Sequence, residues 1–465
     1  MHISQVELEN IKGFRDGPQG LNLDFTRRDG SLPRWIVLAG RNGAGKSTLL
    51  QAIALAVAGP EVTGKLQSSF TDWIHEGGTT ATVTARLRRG RDDQYLSSDG
   101  SEGVDRPWVS MTWMRDARGP EPLRVLGLYP DPSSSGLRSL IARNEVAHEM
   151  TQTGPWAPNP HGWFSAGYGP FRRLPQAAFD GSRSSVAAGR LANLANLFWD
   201  EMSLADSVPW LQQIYLRRLE GDADAALVER AMIGLLNDGL LPEGMRVTRI
   251  TSDGLWVRPP QREELPLRIL SDGYRTVAAL VLDIAKQLLQ AFGTLDFTEN
   301  GGRVRILHSG VVLIDEIDLH MHISWQQQIG FWLKEHFPNI QFIVSTHSPF
   351  ICQAADERGL VLLPSPREDR PAVIVTGELF NRVVNGSVDD AVITDLFGME
   401  SPYSRPAAEL RDEVAALEAI ATSDEMTDSQ EERLETLRGK LPRTVSADVA
   451  DALNRLTGGS RGAED

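Results

Sequence analysis

Apolar and polar positions along this chain follow two different periods, and the changes of period mark its organisation. Val6 to Leu8 and Leu21 to Phe25 read as two short strands around a Gly/Asp/Pro turn. Trp35 to Ala39 is an uninterrupted apolar run, the pattern of a strand buried on both faces of a parallel sheet. Ser47 to Ala58 predicts a buried helix stopped by Gly59-Pro60. Thr82, Thr84 and Arg86 alternate with Val83, Ala85 and Leu87 between Thr80 and Arg88, and Trp108 to Trp113 is a second β-like run. Together they predict an antiparallel sheet layered on the core.

From about residue 185 the period becomes helical. Leu191, Leu194, Leu197 and Phe198 share one face; Leu211, Tyr215 and Leu219 line another, with Ile214 beside them; Ala225 to Leu236 continues the pattern. No sustained heptads occur, so the segment predicts a compact helical insertion and no long coiled-coil arm. Met245 to Ile250 and Leu255 to Arg258 predict a hairpin around Ser252-Asp253-Gly254, followed by an apolar helix from about Tyr274 to Phe292. Leu410, Val414, Leu417 and Ile420 form a stripe in an acidic tail, and Leu434 and Leu437 belong to a helix capped near Thr427-Asp428-Ser429. The expected divisions are an N-terminal lobe over 1–184, the insertion over 185–245, a C-terminal lobe over 246–400 and a helical tail over 401–465.

Composition narrows the class. Hydrophobic residues at 41% and charged residues at 23% are those of a soluble globular protein. No apolar run approaches the roughly 20 residues that span a bilayer. The start has no basic segment followed by an apolar one, so a cytoplasmic location without membrane contact is expected. A single cysteine, Cys352, excludes an internal disulfide framework and reads as a packed thiol. A net charge of -15 argues against a dedicated nucleic-acid coat. Arg86, Arg88, Arg89 and Arg91, then Arg172-Arg173, then Arg217-Arg218 are the local basic stretches where DNA contact is conceivable, the alternative being ordinary solvated charge.

Four elements carry chemistry. Gly40-Arg41-Asn42-Gly43-Ala44-Gly45-Lys46-Ser47, continued by Thr48, follows an apolar strand and opens a helix, the context that a phosphate-cradling loop requires. Its glycines turn backbone N–H groups inward, Lys46 reaches the β- and γ-phosphates, and Ser47 serves Mg²⁺. Val311 to Ile314 delivers Asp315 and Glu316 at a strand end; Asp315 is placed for Mg²⁺ and Glu316 for the attacking water. Gln341 to Ser345 ends at Thr346-His347, which places His347 to touch a γ-phosphate. Leu270-Ser271-Asp272-Gly273 precedes a helix; taken alone it is an ordinary N-cap with a turn glycine, and its place between the glycine loop and the paired acids offers the Ser271 hydroxyl and the adjoining N-terminus to a γ-phosphate bound by another subunit. Asp318 lies just beyond the paired acids, as a contact to an opposing subunit or an ordinary turn acid. His320 and His322 lack the accompanying ligands of a zinc site and fit the start of a helix better.

In this order the four elements resemble the ABC-type ATPase heads of the SMC/RecF class, over Met1 to about Phe397. The resemblance implies an α/β P-loop NTPase head with an antiparallel β layer, a helical insertion and a helical C-terminal tail. It makes Gly40 to Ser47 the Walker A loop, Leu270 to Gly273 the signature motif, Asp315-Glu316 the Walker B end and His347 the switch histidine. Leu270 to Arg275, Ile314 to His320, Gln341 to Pro349 and the stretch Ser165 to Arg172 are more narrowly similar to the short-armed PtuA-type ATPases of Septu and retron-linked antiphage systems. That likeness implies an ATP- and Mg²⁺-dependent hydrolase whose heads dimerise on ATP. It also implies a separate effector, a nuclease, since the chain itself shows neither an Asp-x-Asp pair after His347 nor a His-Asn-His cluster. Two departures stand out: Tyr168 to Arg173 occupies the place of the glutamine loop, and Ile323 stands where relatives have proline. The rival readings are a RecF-like repair ATPase acting directly on DNA and the ATP-binding subunit of a transporter.

Overall fold

A computed structural model describes residues 1–441 except 16, 18–19, 95–106, 115–153, 158–159, 173–188, 201, 203, 205, 366–367, 369 and 422–425. In chain order the first unit, Met1–Ala391, begins with β1 (His2–Glu9), β2 (Leu21–Asp24), β3 (Trp35–Ala39), α1 (Lys46–Ala58), α2 (Pro60–Leu66), β4 (Thr80–Arg88), β5 (Trp108–Met114) and β6 (Phe164–Tyr168). Three helices follow: α3 (Arg190–Ala195), α4 (Ser207–Leu219) and α5 (Ala223–Leu235). After them come β7 (Arg246–Thr251), β8 (Gly254–Arg258), β9 (Leu265–Pro266), α6 (Asp272–Phe292), β10 (Phe297–Asn300), β11 (Arg303–Ile306), β12 (Gly310–Ile314), α7 (Ile323–His336), β13 (Ile340–Ser345), α8 (Pro349–Cys352), β14 (Leu360–Leu362), β15 (Val373–Ile374) and α9 (Gly377–Val384).

The central sheet has the order β15-β14-β3-β13-β12-β6; the four pairings from β14 to β6 are parallel, and only β15 is antiparallel. A second, antiparallel sheet has the order β2-β1-β4-β5. Helix α1 lies between the two, touching β4 and β5 on one side and β13, β12 and β6 on the other. Burial from both sides explains its sequence: ten of its residues, from Lys46 to Ala58, are buried, and no polar stripe is needed. The sheets are also joined directly. The buried Gln341 side chain on β13 accepts from the Ile3 N–H at 2.7 Å and donates to the carbonyls of Ile3 at 3.0 Å and Pro33 at 3.2 Å.

The predicted strands at Trp35–Ala39 and Thr80–Arg88 fall within their expected bounds, and the antiparallel layer is present. The insertion differs from expectation at two points. Helix α3 stops at Ala195, so Leu197 and Phe198 lie in the turn beyond it, because the Asn196 carbonyl turns to accept from the Gly169 N–H. On α4 the buried face is Leu211 and Ile214, whereas Leu219 is 60% exposed at the helix end. Helix α6 starts two residues before the predicted Tyr274 and ends at Gly293, whose φ of 76° is the left-handed C-cap geometry glycine favours.

The second unit, from Val392, contains a helical pair, α10 (Arg405–Ala421) and α11 (Asp428–Lys440). Thr427 and Gln430 close a capping box at the start of α11. Leu434 and Leu437 are buried, the predicted stripe Leu410, Val414, Leu417 and Ile420 is half-buried, and Arg433–Glu413 and Arg438–Glu418 ion pairs at 2.7 Å link the two helices.

Candidate functional site

The glycine loop joins the end of β3 to α1. At Gly45, φ is +87° and an added Cβ would lie 2.8 Å from the Phe14 ring, so the turn excludes any side chain there. No side chain caps the first turn of α1 and no acid stands in it, which leaves its N–H groups and partial positive charge available to an anion. The Lys46 side chain is 7% exposed, and its Nζ donates to the carbonyls of Gly40 at 2.8 Å and Arg41 at 3.2 Å. Burial lowers the Lys46 pKa, and the charges of Asp315, Glu316 and Asp318 oppose that shift. Arg41, Asn42, Gly43 and Ser47 are exposed, Thr48 is half-buried and Ala44 is buried.

β12 carries Asp315 to its end and buries it; the Asp315 N–H donates to the Tyr168 carbonyl at 2.8 Å, and its Oδ1 accepts from the Ser345 hydroxyl. Glu316 is half-buried and has φ +46°, a left-handed conformation that costs a non-glycine residue on the order of 1 kcal/mol and persists only when its surroundings impose it. Its N–H donates to Ser345 Oγ at 2.8 Å. Arg172 donates from Nη1 to the carbonyls of Gly169 at 2.8 Å and Asp315 at 2.6 Å, and from Nη2 to those of Glu316 at 2.8 Å and Ile317 at 3.1 Å. Desolvation pushes the Arg172 guanidinium down to about 10, against the pull of Asp315, Asp318 and Glu316. Arg172 is therefore not a DNA-facing charge; it is 2% exposed. Its neighbour Arg173 lies outside the described residues.

His347 follows β13 and is exposed. Partial burial and then the Lys46 charge hold its imidazole below the usual range, opposed by Asp318, Glu316 and Asp315. Lys46, Asp315, Glu316 and His347 thus lie within one another's electrostatic reach. Thr346 Oγ1 donates to Asp318 and accepts from the Ser348 N–H at 2.9 Å, so Asp318 is tied to the same strand end.

Ser271 occupies the N-cap position of α6, yet its side chain makes no capping hydrogen bond and it is exposed. Behind it, a Cβ on Gly273 would fall 2.3 Å from the His320 carbonyl oxygen. That close approach seats the start of α6 on the turn that follows Glu316. A cavity of about 470 Å³ there is lined by Ser271, Gly273, Tyr274, His320, Met321 and Trp325. Another, of about 400 Å³, lies against the glycine loop and is lined by Lys12, Phe14, Gly45, Thr48, Ser365 and Glu368, among others. The two cavities share no lining residue. His322 caps α7, accepting from the Ser324 N–H, and Ile323 is the first helical residue, the position proline favours.

The other basic stretches are engaged within the chain: Arg88 donates to the Gly30 carbonyl, Arg89 to the Asp93 carbonyl, Arg91 pairs with Asp296, Arg217 with Asp222 and Arg218 with Glu229. Sequence reasoning missed the Arg172 clamp and the Ser345 bridge. The only signal for either was an arginine closing a glycine-aromatic turn and a hydroxyl at the end of an otherwise apolar strand.

Residues 164–353 match the family described as "AAA domain, putative AbiEii toxin, Type IV TA system", and residues 5–119 match another described as "AAA domain". The Septu protein PtuA of Bacillus mycoides (strain KBAB4) is 27% identical over 372 residues, 80% of this chain and 42% of that protein. The Retron Ec83 probable ATPase of Escherichia coli is 38% identical over 132 residues, 28% of this chain and 21% of that one. A solved SmcHead bound to the C-winged helix domain of ScpA covers 81% of this chain and 98% of its own, at 15% identity and a TM-score of 0.45. The chain spans less than half the length of the relatives it matches. The matches bear out the resemblance to PtuA-type and retron-linked ATPases, and the mixed α/β fold is that of a P-loop ATPase.

Proposed function

We propose that this chain is an ATP-hydrolysing head that closes on ATP against a second head and gates a separate effector, a nuclease, in antiphage defence. The observation that carries the reading is the division of the chemistry: one group gathers Lys46, Asp315, Glu316 and His347, while Ser271 presents an exposed hydroxyl that caps nothing at the start of α6. Each half is incomplete alone, and two copies facing each other complete both.

The donor set fits a magnesium-bound nucleoside triphosphate. Gly40 to Thr48 offer uncapped N–H groups to the phosphates, and the buried Lys46 stem holds an ammonium that exchanges its two carbonyl partners for phosphate oxygens. Ser47 and Asp315 are the oxygen ligands suited to Mg²⁺. When bound there, Mg²⁺ supplies positive charge to the phosphoryl oxygens. Glu316 orients the attacking water and accepts its proton. His347, kept neutral near pH 7 by burial and by Lys46, reads the γ-phosphate as a hydrogen-bonding partner. Ser271 and Gly273 complete the opposite site.

The test uses purified chain with Mg²⁺ and ATP. Wild type is expected to release phosphate, and a mass consistent with an ATP-dependent dimer is expected most clearly for Glu316→Gln, which binds ATP and fails to hydrolyse it. A fully active monomer contradicts the two-head reading. Incubation with DNA and RNA substrates is expected to leave them intact. Robust cleavage that tracks substitutions in this chain outside the ATP site defeats the gate reading.

A further inference from the structure

Hydrolysis as proposed depends on where the Glu316 carboxylate points, and Glu316 sits in a backbone conformation that its own side chain disfavours. Something must impose that conformation, and the two polar groups of its main chain show what does. The N–H donates to Ser345 Oγ and the carbonyl accepts from Arg172 Nη2. The same guanidinium also takes the carbonyls on either side, those of Asp315 and Ile317, and anchors itself on Gly169. One planar group thus fixes three consecutive carbonyls of the turn that carries the metal-binding and water-orienting acids.

The cost of this arrangement is informative. Arg172 is almost fully buried, its Nε has no hydrogen-bond partner, and among the described residues it makes no ion pair. A buried cation without a touching carboxylate is unfavourable. A turn needing only a structural tie is served as well by a neutral side chain. What arginine alone provides is a rigid fork with several coplanar donors, and the charges of Asp315, Asp318 and Glu316 favour the charged form of the guanidinium. The segment that delivers it is constrained too. A Cβ on Gly169 would meet the Asn196 carbonyl oxygen at 2.5 Å, and the Gly169 N–H donates to Asn196 Oδ1 at 2.9 Å.

We infer that Arg172 is a positioning residue for hydrolysis: it holds the Asp315–Ile317 main chain so that Glu316 keeps the orientation in which it acts on water. The inference rests on the reading of Glu316 as the base.

The experiment measures kcat, equilibrium binding of a fluorescent ATP analogue and thermal melting for wild type, Arg172→Lys, Arg172→Gln, Glu316→Gln and the double variant Arg172→Lys/Glu316→Gln. Lysine keeps the charge and loses the fork. Arg172→Lys is expected to lower kcat about 10- to 100-fold, the scale of a misplacement near 1 Å, with analogue affinity within about threefold. In the Glu316→Gln background the same change is expected to cost less than about twofold, because its effect passes through the missing carboxylate. Wild-type kcat in Arg172→Lys, an equal loss in both backgrounds, or affinity falling in step with kcat overturns the inference. So does failure of both Arg172 variants to melt cooperatively, which makes Arg172 a requirement of folding. A wild-type protein that binds ATP and releases no phosphate, or a Glu316→Gln protein as active as wild type, overturns the Glu316 reading itself, and the inference with it.

Discussion

Replacing Gly273 by alanine pits two effects of known sign against each other. Gly273 is the second residue of α6 and has no left-handed backbone, so helix propensity alone makes Gly273→Ala stabilising by about 0.5–1 kcal/mol. Against this, the new Cβ would sit 2.3 Å from the His320 carbonyl oxygen. Ordinary contact is more than 3 Å, so the start of α6 and the turn after Glu316 must part by roughly 1 Å. Such overpacking costs about 1–3 kcal/mol, and it exceeds the propensity gain. Gly64, on the exposed face of α2, is the internal control: nothing lies within 4 Å of its added Cβ, so Gly64→Ala keeps the propensity term alone. Thermal melting and urea titration are expected to move in opposite directions for the two variants, Gly64→Ala up and Gly273→Ala down. Because Ser271 moves with the helix, Gly273→Ala is also expected to lower ATP turnover by up to about 10²-fold while the isolated head still binds nucleotide through Lys46. A Gly273→Ala protein that melts higher than wild type, as Gly64→Ala does, refutes the claim that this helix start is seated on the His320 turn.

Glu316→Gln is expected to retain nucleotide binding and lose about 10²- to 10⁴-fold in turnover, the range for removing a general base; stopped-flow phosphate release checks it. Lys46→Ala is expected to weaken ATP binding itself, read by equilibrium titration. Ser271→Arg is expected to abolish turnover while one head still binds ATP. Mixed with Lys46→Ala it should restore at most one competent site per dimer, and a mixture with full wild-type activity counts against shared sites. His336 is buried with its pKa lowered, burial being the main cause, and its Nδ1 bonds to the Val304 carbonyl at 2.6 Å. The unfolded chain therefore takes up the proton first: stability conferred by the neutral ring is full above about pH 6.5 and is lost as pH falls from there towards the folded value. Denaturation midpoints from pH 7.5 to 5 should fall in wild type and flatten in His336→Gln.

The elements legible in the sequence are those whose burial is uniform. Trp35 to Ala39 could be only a two-sided buried strand, and Thr80 to Arg88 alternates because one face meets α1 and the other does not. The places of the candidate site residues were legible for the same reason, since Asp315, Glu316 and His347 stand just past buried strands and Lys46 closes the loop that follows one. Legibility failed where a residue's fate was decided by distant backbone. Leu219 repeats the helical spacing of Leu211 but lies past the neighbour that covers the helix. Phe198 continues the spacing of Leu191 although the chain has already turned to meet Gly169. Arg172 reads as a surface charge in any local window; only the three carbonyls of a turn more than a hundred residues later make it a buried clamp.

The order of the central sheet also sets a timetable for synthesis. β3, which leads into the phosphate-binding loop, pairs only with β13 at Ile340–Ser345 and β14 at Leu360–Leu362. A ribosome adding about 5–20 residues per second completes β3 on the order of half a minute before its partners exist. Through that interval the nascent loop lacks the parallel strands on either side of β3 and has no Asp315 opposite it, so the complete site cannot form. The complete site exists only in chains extended past β14. A stalled or truncated product therefore cannot enter an ATP-clamped pair and idle there. For a protein proposed to release a toxic partner, late assembly of the trigger is a safeguard written into strand order.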